Sequence, residues 1–228
     1  LYKPPAGSPS AGELLETAFA RGGPYYSLLA GIALGRPFSP PEAEGPGGAP
    51  ADGNAEMSPD DLYVRGFAEF KLSRRGMKAA GSRMDGLRLE TAADLAAMEA
   101  ADGRYIDGLR LLSRTVRRNG FVPGRKTLEI LYPPAFRVEM DAVVSEYSLP
   151  PAVFYALVRE ESHFEPSIRS HAGAVGLTQL MPSTARDVAR KLRIEKPVLT
   201  DPATNLRIGG RYLKDLVNRF GEGVYALA

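Results

Sequence analysis

Apolar residues along this chain recur at three- and four-residue intervals, and no stretch alternates convincingly in steps of two. The pattern predicts an all-α protein. Glu13 to Arg21 forms one helical stretch closed by Gly22-Gly23, and Tyr25 to Leu34 a second, with Pro24 where a first-turn proline is tolerated. Residues 36–59 break the pattern. They hold Pro40-Pro41 and Gly45-Pro46-Gly47-Gly48 and too few periodic apolar residues to pack, which predicts a long surface loop. Ser58-Pro59-Asp60 then opens a helix by capping and first-turn proline rules, with Leu62, Phe67 and Phe70 at helical spacing up to Lys71. Further helices are expected over about Thr91–Ala101, stopped at Asp102-Gly103, and about Tyr105–Arg118, stopped at Asn119-Gly120.

Short Gly-containing joints between helices suggest antiparallel pairs, as in helical solenoids. No repeat is clean enough to assign a period, and an irregular helical domain fits the pattern equally well. Pro133-Pro134 marks the next boundary, so two domains are expected, residues 1–131 and 132–228. The second opens with a helix from Phe136 to Tyr147, placing Val138, Ala142, Val143 and Tyr147 inward. After Ser148-Leu149-Pro150, another helix starts at Pro151 and runs to about His163.

Composition narrows the chemistry. With 44% hydrophobic residues in 228, the chain can build a sizeable core, and no segment reaches the roughly 18 apolar residues a membrane span needs. Leu1 in place of Met leads us to expect a processed or trimmed N-terminus. The absence of cysteine excludes a disulfide framework, a thiolate zinc site and a cysteine nucleophile together. Two histidines, His163 and His171, cannot supply a three-histidine metal site, and no spacing recommends a mixed one, so no metal is expected. The net charge of +2 is spread evenly, without the basic block of a nucleic-acid binder, so no nucleic-acid partner is expected.

Candidate chemistry sits where the Pro151 helix ends. Glu160 and Glu161 close a mostly apolar helix that opens into a turn-rich loop. Glu161 lies over Phe154, Leu157 and Val158 on an apolar stripe. Such neighbours disfavour the charged form and raise a carboxyl pKa. A carboxylic acid protonated near neutral pH is what acetal cleavage requires, since the leaving oxygen must take a proton as the bond breaks. Glu160 lies over Ala156 and Leu157 and competes for the same stripe; periodicity does not separate the two. Two adjacent glutamates at a helix end are also what an ordinary solvated terminus looks like. Downstream, Gly173 and Gly176 permit a tight turn or close approach of a ligand. Gln179 stands between apolar neighbours, where it offers both a donor and an acceptor.

Glu161-Ser162, Phe164, Pro166, Ser170, Gly173-Ala174, Gly176-Leu177, Gln179, Met181-Pro182 and Thr184-Ala185 together resemble the goose-lysozyme-like catalytic domain of soluble lytic transglycosylases. Asp201-Pro202, Asn205, Gly209 and Tyr212-Leu213 continue the likeness downstream. The helical first half, with Tyr25-Tyr26-Ser27-Leu28-Leu29-Ala30 and Tyr132-Pro133, is more loosely similar to the superhelical domains that precede this module.

The resemblance implies that Glu161 is the acid/base, which selects it over Glu160. It implies that Ser162 hydrogen-bonds in the site and orients the carboxylate or the substrate, and that Gln179 and Met181 line the glycan groove. The family usually has Met where this chain has Thr178 and Ala where it has Ile168, differences expected to touch packing or the groove wall. It continues into an Ala-Tyr-Asn-Ala-Gly motif carrying an active-site tyrosine, which this sequence does not reach; Tyr225 is not that tyrosine.

By the same resemblance, the substrate is the glycan strand of peptidoglycan. It is cut at the β-1,4 bond between N-acetylmuramic acid and N-acetylglucosamine with a 1,6-anhydro product, without metal or organic cofactor. Residence outside the cytoplasmic membrane follows from that substrate alone. A lysozyme hydrolysing the same bond and a non-catalytic wall-binding scaffold are the alternatives.

Overall fold

A computed structural model of the chain describes residues 10, 12–13, 16–17, 34–36, 57–119 and 123–221. The expected helices at 13–21 and 25–34 and the 36–59 loop lie largely outside the described residues. The chain divides into two compact units, residues 1–57 with 113–129 and residues 58–112 with 130–228. In the first, the described structure is chiefly the end of one helix and most of another. The second holds the candidate site.

The described elements are helical, as expected: α1 (Pro59–Glu69), α2 (Ser73–Gly81), a 3-10 turn (Met84–Gly86), α3 (Leu89–Ala101), α4 (Ile106–Asn119), α5 (Arg125–Leu131), α6 (Arg137–Tyr147), α7 (Pro151–Ser162), α8 (Pro182–Lys191) and α9 (Pro202–Phe220). Extended pairing among the described residues is confined to two isolated bridges, Arg169 with Val175 and Val175 with Leu180.

α1 starts as read, with the Ser58 hydroxyl accepting from the Asp61 N–H at 3.0 Å and Pro59 in the first turn. Its inward face differs from the expectation. Leu62 and Phe70 are 52% and 78% exposed, and Val64 is buried instead. α2 was not foreseen. It packs through Ser73, Gly76, Ala79 and Ala80, a face of small residues that apolar periodicity does not register. Against it lies α3, so close that a Cβ on Gly76 would stand 2.6 Å from Leu95 Cδ2. Asp61 joins α1 to α3 by accepting from the Arg88 N–H at 2.9 Å, capping a helix whose own N-cap side chain makes no such bond.

α6 and α9 pack along each other and form the wall behind the site. Met140, Val143 and Tyr147 of α6 are buried; Val138, expected inward, is 81% exposed, and Ala142 also faces solvent. The buried stripe is displaced because α9 covers the 140–143–147 edge of the helix. Gly210 makes that contact possible, since a Cβ there would lie 2.2 Å from Val143 Cγ1. Valine is stiff at χ1 and cannot swing clear. Gly210→Ala is therefore expected to destabilise the protein by about 1–3 kcal/mol, the usual range for overpacking, read as a lower urea midpoint with unchanged slope.

α7 enters this framework with Pro151 in its first turn and buries Phe154 and Val158 completely. They share one core with Leu109, Met140, Val143, Tyr147, Phe164, Leu177, Leu206 and Leu213. Burying a side chain such as Phe154 contributes about 1.5–3 kcal/mol. That core fixes the axis of the helix that ends in Glu160 and Glu161.

Candidate functional site

Three features stop α7. Ser162 is fully buried, and its hydroxyl donates to the Val158 carbonyl at 2.9 Å while accepting from the Phe164 N–H at 3.1 Å. His163 and Phe164 then both adopt left-handed backbone, with φ of 49° and 61°. For a bulky residue such as Phe164 this conformation is unfavourable. Burial of its ring to 2% exposure, edge-on against Tyr105 with centroids 5.7 Å apart, offsets the strain. The chain is thus turned sharply two residues after Glu161.

The two glutamates are placed in different surroundings. Both are exposed at the surface, but one carboxylate oxygen of Glu160 accepts from Nη1 of Arg159. The Glu161 carboxylate forms no hydrogen bond or ion pair with any described residue. Burial of part of its surface pushes its pKa above the ordinary glutamate value, with no neighbouring charge contributing. At His163, burial acts first and Arg159 next to lower the pKa, which favours the neutral imidazole.

The loop after α7 is a compact double turn. Val175 exchanges hydrogen bonds with Leu180 at 3.0 and 3.2 Å, and the Gly176 N–H donates to the Ile168 carbonyl at 3.0 Å. Leu177 enters the core beneath α7, while Leu180 joins a second core with Ala185, Val188, Ala189 and Ile208. Gln179, between these anchors, has a left-handed φ of 44°. Its amide nitrogen donates to the Gly176 carbonyl at 2.9 Å and more weakly to Ile168 at 3.4 Å. These bonds fix the amide's direction, and no described residue donates to its oxygen. Met181 caps α8 and is 41% exposed, a thioether available to a surface ligand.

Asn205, read in the sequence only as part of the resemblance, is what holds this loop in place. It is completely buried in the first turns of α9. Its oxygen accepts from the Thr178 N–H and the Thr178 hydroxyl, each at 2.8 Å. Its nitrogen donates to the carbonyls of Val175 at 3.1 Å and Leu199 at 2.9 Å. All four hydrogen-bonding positions of the amide are used. The backbone closes on it at Gly176, where φ is 81° and a Cβ would stand 2.2 Å from the Leu199 oxygen and 2.3 Å from Asn205 Nδ2. Only glycine fits both demands. The sequence signal for Asn205 is its place one turn after the cap Asp201-Pro202, where a buried amide has no helical reason to be.

Asp201 has a different task from Glu161. Its carboxylate accepts from the Thr204 N–H at 2.9 Å as the N-cap of α9, and bonding to Thr204 holds its pKa below the usual value. Glu195 is exposed. The described residues contain no cluster of His, Asp or Glu arranged to hold a metal ion.

The chain is similar to known proteins both in sequence and in fold. Residues 140–228 match the family model described as the transglycosylase SLT domain. The soluble lytic murein transglycosylase of Escherichia coli K12 is 34% identical over 99 residues, which cover 42% of this chain and 15% of that protein. Membrane-bound lytic murein transglycosylase C of Haemophilus influenzae is 37% identical over 83 residues, covering 34% of this chain and 23% of that one. The chain therefore spans less than a quarter of the length of these relatives. Among solved structures, an inactive glutamate-to-glutamine mutant of the lytic transglycosylase Slt from Pseudomonas aeruginosa superposes with a TM-score of 0.67 at 24% identity, covering 96% of this chain and 35% of that one. The likeness is one of fold, and the family resemblance read from the sequence is borne out.

Proposed function

We propose that this chain, whose residues 140–228 match the transglycosylase SLT domain, cleaves peptidoglycan glycan strands as a lytic transglycosylase. The observation that carries this reading is the contrast at the end of α7. Glu160 is neutralised by Arg159, whereas Glu161 is unpaired and has a pKa raised by burial alone. A carboxyl whose pKa is raised holds its proton to higher pH than an ordinary glutamate, and that proton is available for transfer.

In the proposed reaction Glu161 gives its proton to the glycosidic oxygen as the bond from C1 of N-acetylmuramic acid to O4 of N-acetylglucosamine breaks. The resulting carboxylate then takes the proton of the muramyl C6 hydroxyl, and that oxygen bonds to C1. One C–O bond is exchanged for another, no water is consumed, and Glu161 ends protonated as it began. A second carboxylate, required for two-group hydrolysis, is not needed. Engagement of Asp201 as a helix cap agrees with the single-carboxylate reading.

Gln179 and Met181 are proposed to line the glycan groove, the glutamine through its free amide oxygen. Ser162, whose hydroxyl bonds to Val158 and Phe164 inside the protein, is proposed to orient Glu161 by fixing the end of α7. The catalytic domain is proposed to begin at Tyr132, and the protein to work outside the cytoplasmic membrane, where its substrate lies. No described helix is long and apolar enough to cross a membrane.

The test is mass spectrometry of fragments released from purified peptidoglycan: 1,6-anhydromuramyl ends are expected, and reducing ends alone would replace the reading with hydrolysis. A pH effect follows from the same group. Because Glu161 must be protonated to start the reaction, kcat/KM should fall as pH rises through its pKa, and that limb should lie above the ordinary carboxylate range. The stability effect has the same origin. A carboxyl whose folded pKa is raised destabilises the fold once ionised; the effect is absent below the unfolded pKa and complete above the folded one. Glu161→Gln should therefore melt slightly higher than wild type at neutral pH and no higher at pH 3.

A further inference from the structure

On the side of α7 turned away from Glu161, a recess of about 420 Å³ is lined by Ala152, Tyr155, Ala156 and Arg159 of the helix, with Tyr132, Pro133, Pro134 and Phe164 opposite. Residues 152, 155, 156 and 159 form one helical stripe, and Glu161 projects about 160° from Arg159 around the axis. The proposed glycan chemistry does not use this face.

Its walls are almost wholly apolar except for one cation. Arg159 is 8% exposed, with its guanidinium 4.4 Å above the Tyr132 ring. Nε donates to the Leu131 carbonyl at 2.7 Å, and Nη1 is taken by Glu160. Nη2 has no hydrogen-bond partner among the described residues. It nonetheless reaches solvent, because the one buried, unpartnered side-chain polar atom among those residues is Asp61 Oδ2. A nearly buried guanidinium thus keeps one free donor nitrogen beside an apolar recess. Arg110 adds positive charge nearby, acting with Arg159 on His163, while Asp141 is already paired with Arg137.

We propose that this recess binds a carboxylate borne on a compact apolar body, with Nη2 of Arg159 donating to the carboxylate and the tyrosine and proline faces enclosing the body. Arginine presents donors in a planar fork that suits a carboxylate, and aromatic and proline surfaces suit a flat or short aliphatic body. Such a carboxylate is offered by a free small acid or by the end of a short peptide.

The two sources are separated by titrating the ¹⁵N-labelled full chain with 3-phenylpropionate and with N-acetyl-Ala-Ala, each beside its carboxamide. Saturable shifts at Tyr132, Ala156 and the Arg159 Nε–H are expected, with a dissociation constant on the order of 1 mM for ligands of this size. The carboxamides should bind at least about tenfold more weakly, as should Arg159→Lys, which keeps the charge and loses the fork. Arg159 also holds the Leu131 carbonyl, so Ala152→Trp is the second variant. It starts from an exposed position, fills the recess and should abolish binding with the fold intact. Tighter binding of the dipeptide would assign a peptide end, and tighter binding of 3-phenylpropionate a free acid; either supports the site. Equal binding of acid and amide, shifts that survive Ala152→Trp, or no saturation by roughly 20 mM would overturn it. None of these readouts depends on glycan cleavage, so the site and the catalytic reading fail or stand separately.

Discussion

Glu161→Gln is expected to abolish release of anhydro fragments from purified peptidoglycan, while Glu160→Gln leaves most of it. The residues are adjacent, but their side chains leave the helix about 100° apart, so they cannot serve one scissile oxygen equally. Their environments diverge in the same sense: Glu160 is engaged by Arg159, and Glu161 is unpaired with a raised pKa. Glutamine nearly matches glutamate in shape, so the fold and glycan binding should persist while the transferable proton is lost. General acid–base catalysis typically contributes ~10²–10⁴-fold, and a group acting in both halves of the reaction belongs at or above the upper end. The measurement is kcat for each variant with fragment masses. Equal loss in both variants would mean that the pair acts jointly, and undiminished release by Glu161→Gln would end the single-carboxylate mechanism.

Asn205→Leu is expected to produce the largest loss of stability. The side chains are close in volume, so the substitution chiefly deletes hydrogen bonding. It leaves the Leu199 carbonyl and the Thr178 N–H and hydroxyl without their buried partner, while the Val175 carbonyl keeps the Leu180 N–H. Each unsatisfied group costs about 1–3 kcal/mol, giving a total of roughly 3–6 kcal/mol after partial relaxation. Against the roughly 5–15 kcal/mol of a typical domain that is a large fraction. It should appear as a lower urea midpoint. Under conditions where the variant stays folded, KM for glycan should rise more than kcat falls, because Gln179 and Met181 lose their fixed placement while Glu161 remains on α7. A fall in kcat alone would argue against a groove role for the loop.

Glu161 and Asn205 differ in how much of their role a sequence discloses. The α7 segment is legible because its signals agree: proline at the start, an apolar stripe through Phe154, Leu157 and Val158, and polar residues at the stop. The pairing of Glu160 with Arg159 is not, since adjacent residues point apart on an ideal helix and only long side chains bring them together. α2 escapes the periodicity because it packs through Gly76, Ala79 and Ala80, whose smallness matters more than their hydropathy. Val138 and Ala142 were placed inward on periodicity, but which edge of a helix is covered depends on its neighbour, and α9 arrives from more than fifty residues away. Ser162 follows Glu161 in sequence and has its hydroxyl turned into the protein, a direction that sequence adjacency does not disclose.

The Asn205 clamp also bears on when the site comes into being. Its bond to Val175 spans 30 residues of chain, and its other partners, Thr178 and Leu199, are held from the same amide. A chain emerging from its N-terminus presents Glu161 first and then the whole 168–181 loop, still without the residue that fastens it. Closing so long a span requires the ends to meet before the contacts reward it, so the loop sets late relative to α7. Until that moment the segment carrying Gln179 and Met181 has no fixed placement. A partly made copy would carry Glu161 at the end of α7 without the fastened loop.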